Sequence, residues 1–97
     1  MLNNRVAVVT GGTQGIGYAV SRILAEDGYA VVAIYKSNEE AARKVEAELK
    51  ALQASSCVYS CDVCRHEDIQ KLFRFVAETY DRVDVVVNNA GGGDLVY

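Results

Sequence analysis

The chain has 97 residues, of which 51% are apolar and 24% charged, and its formal net charge is −3. This length allows one domain at most, the composition is globular rather than disordered, and the acidic balance disfavours a nucleic-acid surface. No apolar run approaches the roughly 18 residues that a membrane-spanning helix needs, and the first residues, Met1 to Arg5, resemble neither a signal peptide nor a transit peptide.

The first unit predicted along the chain is a strand followed by a helix. Arg5 to Thr10 is a short β-branched run ending at glycines, which is typical of a strand buried on both faces. A glycine-rich segment separates this strand from an amphipathic helix that ends near Gly28, a residue suited to a left-handed C-cap. Helical spacing places one apolar set on the face that we expect to be buried: Ile16, Ala19, Val20, Ile23 and Leu24.

The second unit repeats this pattern. A strand is predicted over Ala30 to Tyr35, and Ser37 is the predicted N-cap of the next helix because Glu40 follows three residues later. The buried stripe of that helix is predicted to comprise Ala41, Val45, Leu49 and Leu52. Its solvent-facing side carries two i,i+4 charge pairs, Glu39 with Arg43 and Glu40 with Lys44.

Two further strands and one helix complete the series. The strands are predicted over Ser56 to Val63 and over Val83 to Val87, on either side of a helix over Glu67 to Tyr80. The spaced apolar residues of that helix are Ile69, Leu72, Phe73, Val76 and Tyr80. The order β-α-β-α-β-α-β predicts an α/β fold with a parallel sheet and right-handed crossovers.

The three cysteines do not favour a disulfide framework or a metal site. Their number is odd and no secretory signal is evident, so a reduced compartment is the simplest expectation. Cys61 and Cys64 form a CxxC motif with His66 nearby, but a zinc site needs a fourth ligand and a second Cys/His pair is lacking. We therefore predict no metal and regard these thiols as small, mostly buried side chains beside a strand.

The strongest chemical signal is the glycine loop from Thr10 to Gly17 (TGGTQGIG), between a buried strand and a helix. In this context Gly11 permits a tight exit from the strand, Gly15 leaves backbone open to a phosphate, and Gly17 permits close helix packing. Free N–H groups and the helix dipole at such a position attract a pyrophosphate. The alternative is a glycine-rich turn without a ligand. A Walker A loop is excluded because no Gly-Lys-Ser/Thr sequence follows.

The spacing TGxxxGIG, together with Asn88-Asn89-Ala90-Gly91 after the fourth strand and Cys61-Asp62-Val63 after the third, resembles the short-chain dehydrogenase/reductase family. Within it, the chain resembles the branch of 3-oxoacyl-(acyl-carrier-protein) reductases and related carbonyl reductases. The resemblance implies a Rossmann-type doubly wound parallel sheet with strand order 3-2-1-4. Residues 1–97 would be the N-terminal dinucleotide-binding part of one longer domain, interrupted after the fourth strand.

The resemblance assigns cofactor contacts residue by residue. The loop residues Gly11, Gly12, Thr13, Gln14, Gly15, Ile16 and Gly17 would contact the pyrophosphate. Asp62 and Val63 would bracket the adenine, although Asp62 could instead be a helix or turn cap. Asn88 would contact the ribose or backbone of the cofactor and Asn89 would mainly brace the sheet, while Ala90 and Gly91 would stay small beside the cofactor.

The end of the second strand bears on the choice of cofactor. An acidic residue there would bind the ribose 2′-hydroxyl of NAD, but the position is occupied by Tyr35. Lys36 and Ser37 follow and offer a cation and a hydroxyl to a 2′-phosphate, which favours NADP(H) over NAD(H). Two observations leave the alternative open: relatives that prefer NADP often have a basic residue where Gln14 stands, and Lys36 could be an ordinary solvated lysine.

The resemblance also implies carbonyl reduction by a Ser, a Tyr and a Lys four residues after that Tyr. No tyrosine here precedes a lysine at that spacing, so we predict no catalytic residue within the chain. One hypothesis is that the chain is part of an oxidoreductase that reduces a carbonyl, such as a 3-oxoacyl thioester in fatty acid biosynthesis. The other is that it is a non-catalytic dinucleotide-binding or interaction module.

Three expectations concern the protein as a whole. The fourth strand would form an exposed apolar edge, so we predict that the 97-residue chain associates or is poorly soluble. We also expect weak NADPH binding and no carbonyl reduction by the chain alone. The resemblance implies a homotetrameric full-length protein. The cysteines and the lack of an evident secretory signal favour a cytoplasmic location, with the mitochondrial matrix as the alternative. Charge and hydropathy give no reason to expect a nucleic acid or membrane partner.

Overall fold

The computed structural model describes residues 5–89, and within this range it contains four strands and three helices that alternate as predicted. The strands are β1 (Val6–Thr10), β2 (Ala30–Tyr35), β3 (Cys57–Ser60) and β4 (Val85–Val87). The helices are α1 (Gly15–Glu26), α2 (Glu39–Leu52) and α3 (His66–Tyr80). The predicted α/β class is therefore confirmed.

The four strands form one parallel sheet in the order β3-β2-β1-β4, which is the predicted order. The two central strands are buried along their whole length, in keeping with their continuous apolar sequences. The two outer strands are shorter and only partly buried. Because parallel strands share a direction, the carboxyl ends of all four strands lie at one edge of the sheet.

Helices cover both faces of the sheet. On one face, Val9, Val31 and Ala33 form a core with residues of α1 and α2 that include Ala25 and Leu49. On the other face, alternate strand residues such as Val8, Val32 and Ile34 pack against Leu72 and Val76 of α3. The sheet is thus the middle of three layers, with two helices on one side and one helix on the other.

The prediction for the buried face of α1 was wrong in part. Ile16 and Ile23 are 75% and 63% exposed, while the buried residues of this helix are Gly17, Ser21 and Ala25. These small side chains bring the helix close to the sheet, and the hydroxyl of buried Ser21 donates to the Gly12 carbonyl at 3.1 Å. Of the predicted set, Val20 and Leu24 pack at the margin of the core, and Ala19 is exposed.

The start of α2 also differs from the prediction. Asn38, rather than Ser37, is the N-cap, and its side chain accepts a hydrogen bond from the Ala41 N–H at 3.2 Å. Asn38 has φ 62°, a left-handed conformation that asparagine tolerates better than most residues. The buried stripe comprises Ala42, Val45 and Leu49, so Ala41 and Leu52 of the predicted set lie further from the core.

The charge pairs predicted for α2 and the buried residues predicted for α3 agree with the structure in part. The Arg43 guanidinium pairs with Glu39 at 3.5 Å, as predicted, and with Glu46 at 2.9 Å. Leu72 and Val76 are the buried residues of α3, whereas Phe73 is 39% exposed. In place of Phe73, Phe75 reaches the margin of the core and its ring lies 4.7 Å from that of Tyr59.

Both outer strands are shorter than predicted, and an aspartate lies close to the shortened end of each. Asp62 follows β3, and its carboxylate accepts from the Cys64 N–H at 3.0 Å in a turn. Before β4, the Asp84 carboxylate accepts from the Val6 N–H at 2.7 Å, and the Asp84 N–H donates to the Val6 carbonyl at 2.8 Å. These contacts fix where each strand begins or ends.

None of the helices in the described range is both long enough and apolar enough to cross a membrane.

Candidate functional site

A cleft of about 330 Å³ opens at the carboxyl edge of the sheet, where the glycine loop faces the ends of β2 and β3. Its lining comes from four separate stretches of sequence, which the parallel topology brings together. The lining residues are Gly11, Thr13, Gln14, Ile34, Tyr35, Lys36, Ser37, Cys61, Asp62, Val63, Cys64 and Asn89.

At three positions of the loop, glycine is favoured for different structural reasons. Gly15 has φ 52° and a Cβ added to it would meet no atom within 4 Å, so its backbone is open to an approaching group. A Cβ on Gly12 would lie 2.8 Å from the Val9 carbonyl oxygen, which makes Gly12 a packing position beneath the cleft. A Cβ on Gly17 would lie only 2.0 Å from the Gly11 carbonyl oxygen.

The amino terminus of α1 faces the cleft without a neutralising group of its own. Its N-cap, Gln14, makes no side-chain capping bond, and the first turn carries no acidic residue. In contrast, α2 begins with Glu39 and Glu40, and α3 has Glu67 and Asp68 in its first turn. Since a helix leaves its first N–H groups without intrahelical partners, the start of α1 can accept an anion.

Thr10 joins the end of β1 to the segment after β4. Its hydroxyl lies 3.2 Å from Asn88 Oδ1 and 3.3 Å from the Val87 carbonyl, and it accepts from the Asn89 N–H at 2.7 Å. The Asn89 side chain in turn lies beside Gly17, where an added Cβ would be 2.6 Å from Nδ2. The asparagine pair therefore holds β4 and the glycine loop in a fixed relation.

Among residues 5–89, the charged side chains that line the cleft both lie on its opposite wall. Lys36 follows β2 and is 73% exposed, and its Nζ lies 3.8 Å from Asp62 Oδ2, in the turn after β3. The Asp62 N–H donates to Asp68 Oδ2 at 3.0 Å, so backbone contacts hold this turn in place. A cation and an anion thus face the glycine loop across the cleft.

The structure brings together seven of the fourteen residues predicted to contact a cofactor, namely Gly11, Thr13, Gln14, Lys36, Ser37, Asp62 and Val63. Gly12 and Gly17 are buried beneath the loop, while Gly15, Ile16 and Asn88 are exposed beside the cleft rather than in its lining. Ala90 and Gly91 lie outside the described residues. Asp62 also caps a turn through its contact with Cys64 N–H, which is the alternative role that the sequence left open.

Five lining residues were missed as site residues: Ile34, Tyr35, Cys61, Cys64 and Asn89. Each lies at or just beyond the carboxyl end of a strand, and this position is the signal that could have identified them. Cys61 is buried, and this burial, together with the Asp68 and Asp62 carboxylates, raises the pKa of its thiol. Within residues 5–89, the His, Cys, Asp and Glu side chains form no group of three able to hold a metal ion.

The geometry agrees with comparisons against known proteins. Residues 5–96 match the family model described as short chain dehydrogenase. Zerumbone synthase of Zingiber zerumbet is 38% identical over 98% of this chain, and a 3-oxoacyl-[acyl-carrier-protein] reductase of Staphylococcus epidermidis is 35% identical over 91%. The chain spans about a third of the length of these relatives, 35% and 36% respectively.

Solved structures agree with the fold. A metagenomic short-chain oxidoreductase in complex with NADP superposes with a TM-score of 0.85 at 38% identity, over 95% of this chain and 41% of that one. An NAD⁺-bound xylitol dehydrogenase gives a TM-score of 0.85 at 33% identity, over 94% and 35%. The sheet order, the glycine loop and these matches together place the chain in the short-chain dehydrogenase family.

Proposed function

We propose that this chain forms the cofactor-binding part of an NADP(H)-dependent oxidoreductase that reduces a carbonyl group by hydride transfer. The carbonyl that we propose is that of a 3-oxoacyl thioester. One observation carries the cofactor assignment. The last residue of β2, Tyr35, is uncharged and is followed by Lys36, and both line the same cleft as the glycine loop. Ser37 adds a hydroxyl on the same wall.

The residues present fit a dinucleotide. The open backbone at Gly15 and the uncapped start of α1 suit the pyrophosphate, since both attract a negative group without a side chain in the way. Val63, Asp62 and Lys36 line the same cleft. We assign the first two to the adenine and Lys36 to a phosphate on the adjoining ribose. When bound, NADPH supplies the hydride, and this chain's residues bind and orient it.

The substrate assignment depends on sequence similarity to characterised relatives. One of the most similar relatives is a 3-oxoacyl-[acyl-carrier-protein] reductase, and the chain resembles that branch in its motifs. The 97 residues contain no tyrosine followed by lysine four positions later. We therefore assign cofactor binding to this chain, and proton transfer to the carbonyl oxygen to the portion of the domain that its longer relatives possess.

Binding of NADPH and NADH to the chain tests the cofactor assignment. We expect NADPH to bind more tightly, and Lys36→Met to reduce NADPH affinity about tenfold, or about 1.4 kcal/mol, with little effect on NADH. Fluorescence of the reduced nicotinamide or isothermal titration calorimetry measures both affinities. Lys44→Met is the matched control because Lys44 is exposed on α2 and does not line the cleft.

Two results would count against the proposal. Equal affinities of the unaltered chain for NADPH and NADH would contradict the cofactor preference. For the proposed reaction, the coding sequence can be read beyond Tyr97. An open frame that encodes a serine and then Tyr-x-x-x-Lys supports the enzyme, whereas a stop codon in a full-length transcript makes this product a non-catalytic dinucleotide-binding module.

A further inference from the structure

The Lys36–Asp62 ion pair lies in the wall of the cleft and is formed by the segments that follow two neighbouring strands, β2 and β3. Tyr35 and Ser60 are register partners of β2 and β3, and the Cys61 N–H donates to the Tyr35 carbonyl at 2.8 Å. This backbone contact sets the separation of the two segments that carry the charges. Lys36 Nζ and Asp62 Oδ2 are 3.8 Å apart within that frame.

The two partners differ in how firmly they are held. Asp62 is 25% exposed, its Oδ1 accepts from the Cys64 N–H at 3.0 Å, and its own N–H donates to Asp68. Lys36 is 73% exposed on a flexible stem, and within residues 5–89 its ion pair is with Asp62. The carboxylate is therefore the fixed member, and the ammonium is the member that can move to another anion.

We propose that Asp62 is a specificity-determining residue that restrains Lys36 and so lowers the preference of the cleft for a 2′-phosphorylated dinucleotide. This inference rests on the proposed function. A 2′-phosphate has to draw the ammonium away from Asp62 before it gains the full contact. Restraint of Lys36 weakens binding only for the ligand that has the phosphate.

A contact between Asp62 and the adenine can be distinguished from the restraint of Lys36. Any contact of Asp62 with an adenine is shared by phosphorylated and unphosphorylated ligands, so it cancels in the ratio of their affinities. The repulsion between the Asp62 carboxylate and a 2′-phosphate does not cancel, but it is independent of Lys36. A double-mutant cycle with Lys36 therefore distinguishes restraint of the lysine from direct repulsion.

The experiment compares adenosine 2′,5′-bisphosphate with adenosine 5′-monophosphate, since these probes differ only in the 2′-phosphate. Their affinities for the 97-residue chain and for Asp62→Asn are measured by calorimetry or NMR titration at low salt. We expect Asp62→Asn to raise the ratio of affinities in favour of the bisphosphate about threefold or more. Asparagine keeps the oxygen that accepts from Cys64 N–H, so the turn is preserved.

Two further variants complete the design. Asp81→Asn removes the same charge at the opposite end of the sheet, at the left-handed C-cap of α3, and should leave the ratio unchanged. In a Lys36→Met background, Asp62→Asn should raise the ratio much less than it does in the unaltered chain. Far-UV circular dichroism checks that each variant is folded.

The possible failures are distinguishable. If Lys36→Met lowers the ratio but Asp62→Asn leaves it unchanged or lowers it, the inference is wrong and the proposed function stands. An equal effect of Asp62→Asn with and without Lys36 also overturns the inference, because Asp62 would then act only by repulsion. If Lys36→Met leaves the ratio unchanged, the proposed cofactor preference itself is wrong.

Discussion

Gly17 is the residue whose identity the structure restricts most directly. A Cβ at this position would lie 2.0 Å from the Gly11 carbonyl oxygen and 2.6 Å from Asn89 Nδ2. The loop carbonyl belongs to the backbone, and Asn89 is held by its hydrogen bond to Thr10. Movement of either group away from an added Cβ would therefore cost free energy. The glycine therefore permits the close contact between α1 and the loop.

We predict that Gly17→Ala lowers the free energy of unfolding by about 2 kcal/mol or more. The gain in helix propensity is at most about 1 kcal/mol, whereas an overlap of 2.0 Å with a backbone atom places the cost of overpacking at the upper end of its range, about 3 kcal/mol or more. Urea unfolding followed by circular dichroism measures the difference.

Gly15→Ala provides the matched control at the same loop. Gly15, unlike Gly17, has a positive φ, and its surroundings are open, so only backbone strain of about 1–2 kcal/mol is expected. If both variants lost the same stability, the close contact at Gly17 would not be the cause. Comparison of the two thus separates steric overlap from conformational strain.

At the scale of single elements, β4 is the strand most dependent on side-chain contacts. It has three residues, its one pairing within residues 5–89 is with β1, and Asp84 joins its start to the Val6 N–H. Arg82 holds the same carboxylate through two contacts, at 2.6 and 2.9 Å. The Arg82 guanidinium and then the Val6 N–H lower the pKa of Asp84.

This shift predicts how stability depends on pH. Because the folded state binds the Asp84 proton less tightly than the unfolded state, the contribution of Asp84 is fully present above its ordinary pKa of about 3.9. It is lost as the pH falls through the lower folded value. We expect unfolding free energies at about pH 6 and about pH 3 to differ less in Asp84→Asn than in the unaltered chain. Parallel pH profiles for the two proteins would contradict this assignment.

The two central strands were predictable because their sequences permit few alternatives. β2 occupies Ala30–Tyr35 as predicted, since it is an unbroken apolar run between polar residues. The buried face of α1 was not predictable from apolar spacing, because Gly17, Ser21 and Ala25 are small and only packing reveals that the helix approaches through them. The N-cap of α2 was missed by one residue, since both Ser37 and Asn38 have capping side chains.

The positions of several site residues were predictable from the sequence, but the distances between their side chains were not. The glycine loop and the residues after β2 and β3 could be located because parallel strands bring their carboxyl ends together. The Lys36–Asp62 distance depends on the register of β2 and β3 and on the turn at Cys64, neither of which the sequence specifies. Asn89 enters the cleft because its N–H binds the Thr10 hydroxyl, a contact between residues 79 positions apart.

At the scale of the whole molecule, the two outer strands differ in how their edges are covered. On β3, the Val58 N–H donates to Glu46 Oε2 of α2 at 3.2 Å, so a side chain occupies part of that edge. On β4, Val86 is 53% exposed, and in the part of the chain that the structure describes this strand has one neighbour, β1. An exposed apolar edge of this kind favours pairing with another chain.

We predict that the 97-residue chain associates with increasing concentration and that Val86→Lys shifts it towards the monomer. A lysine on an edge strand opposes edge-to-edge pairing because its charge must remain solvated. Sedimentation velocity across a range of concentrations measures the effect.

Ile23→Lys is the control for a simple gain in solubility. Ile23 is equally apolar and 63% exposed, but it lies on α1 and not on a strand edge. An equal effect of both substitutions would point to apolar contact in general. A sharp, reversible melting transition independent of concentration would contradict association altogether.

The distribution of acidic residues among the helices has a consequence for how a ligand reaches the cleft. The first turns of α2 and α3 carry carboxylates, whereas the first turn of α1 carries none. The whole chain has a net charge of −3. A polyanionic ligand is therefore weakly repelled at long range and attracted only within the last few ångströms. Physiological salt, with a Debye length of about 8 Å, screens the repulsion more than the attraction. Encounter and retention thus depend on ionic strength in opposite directions.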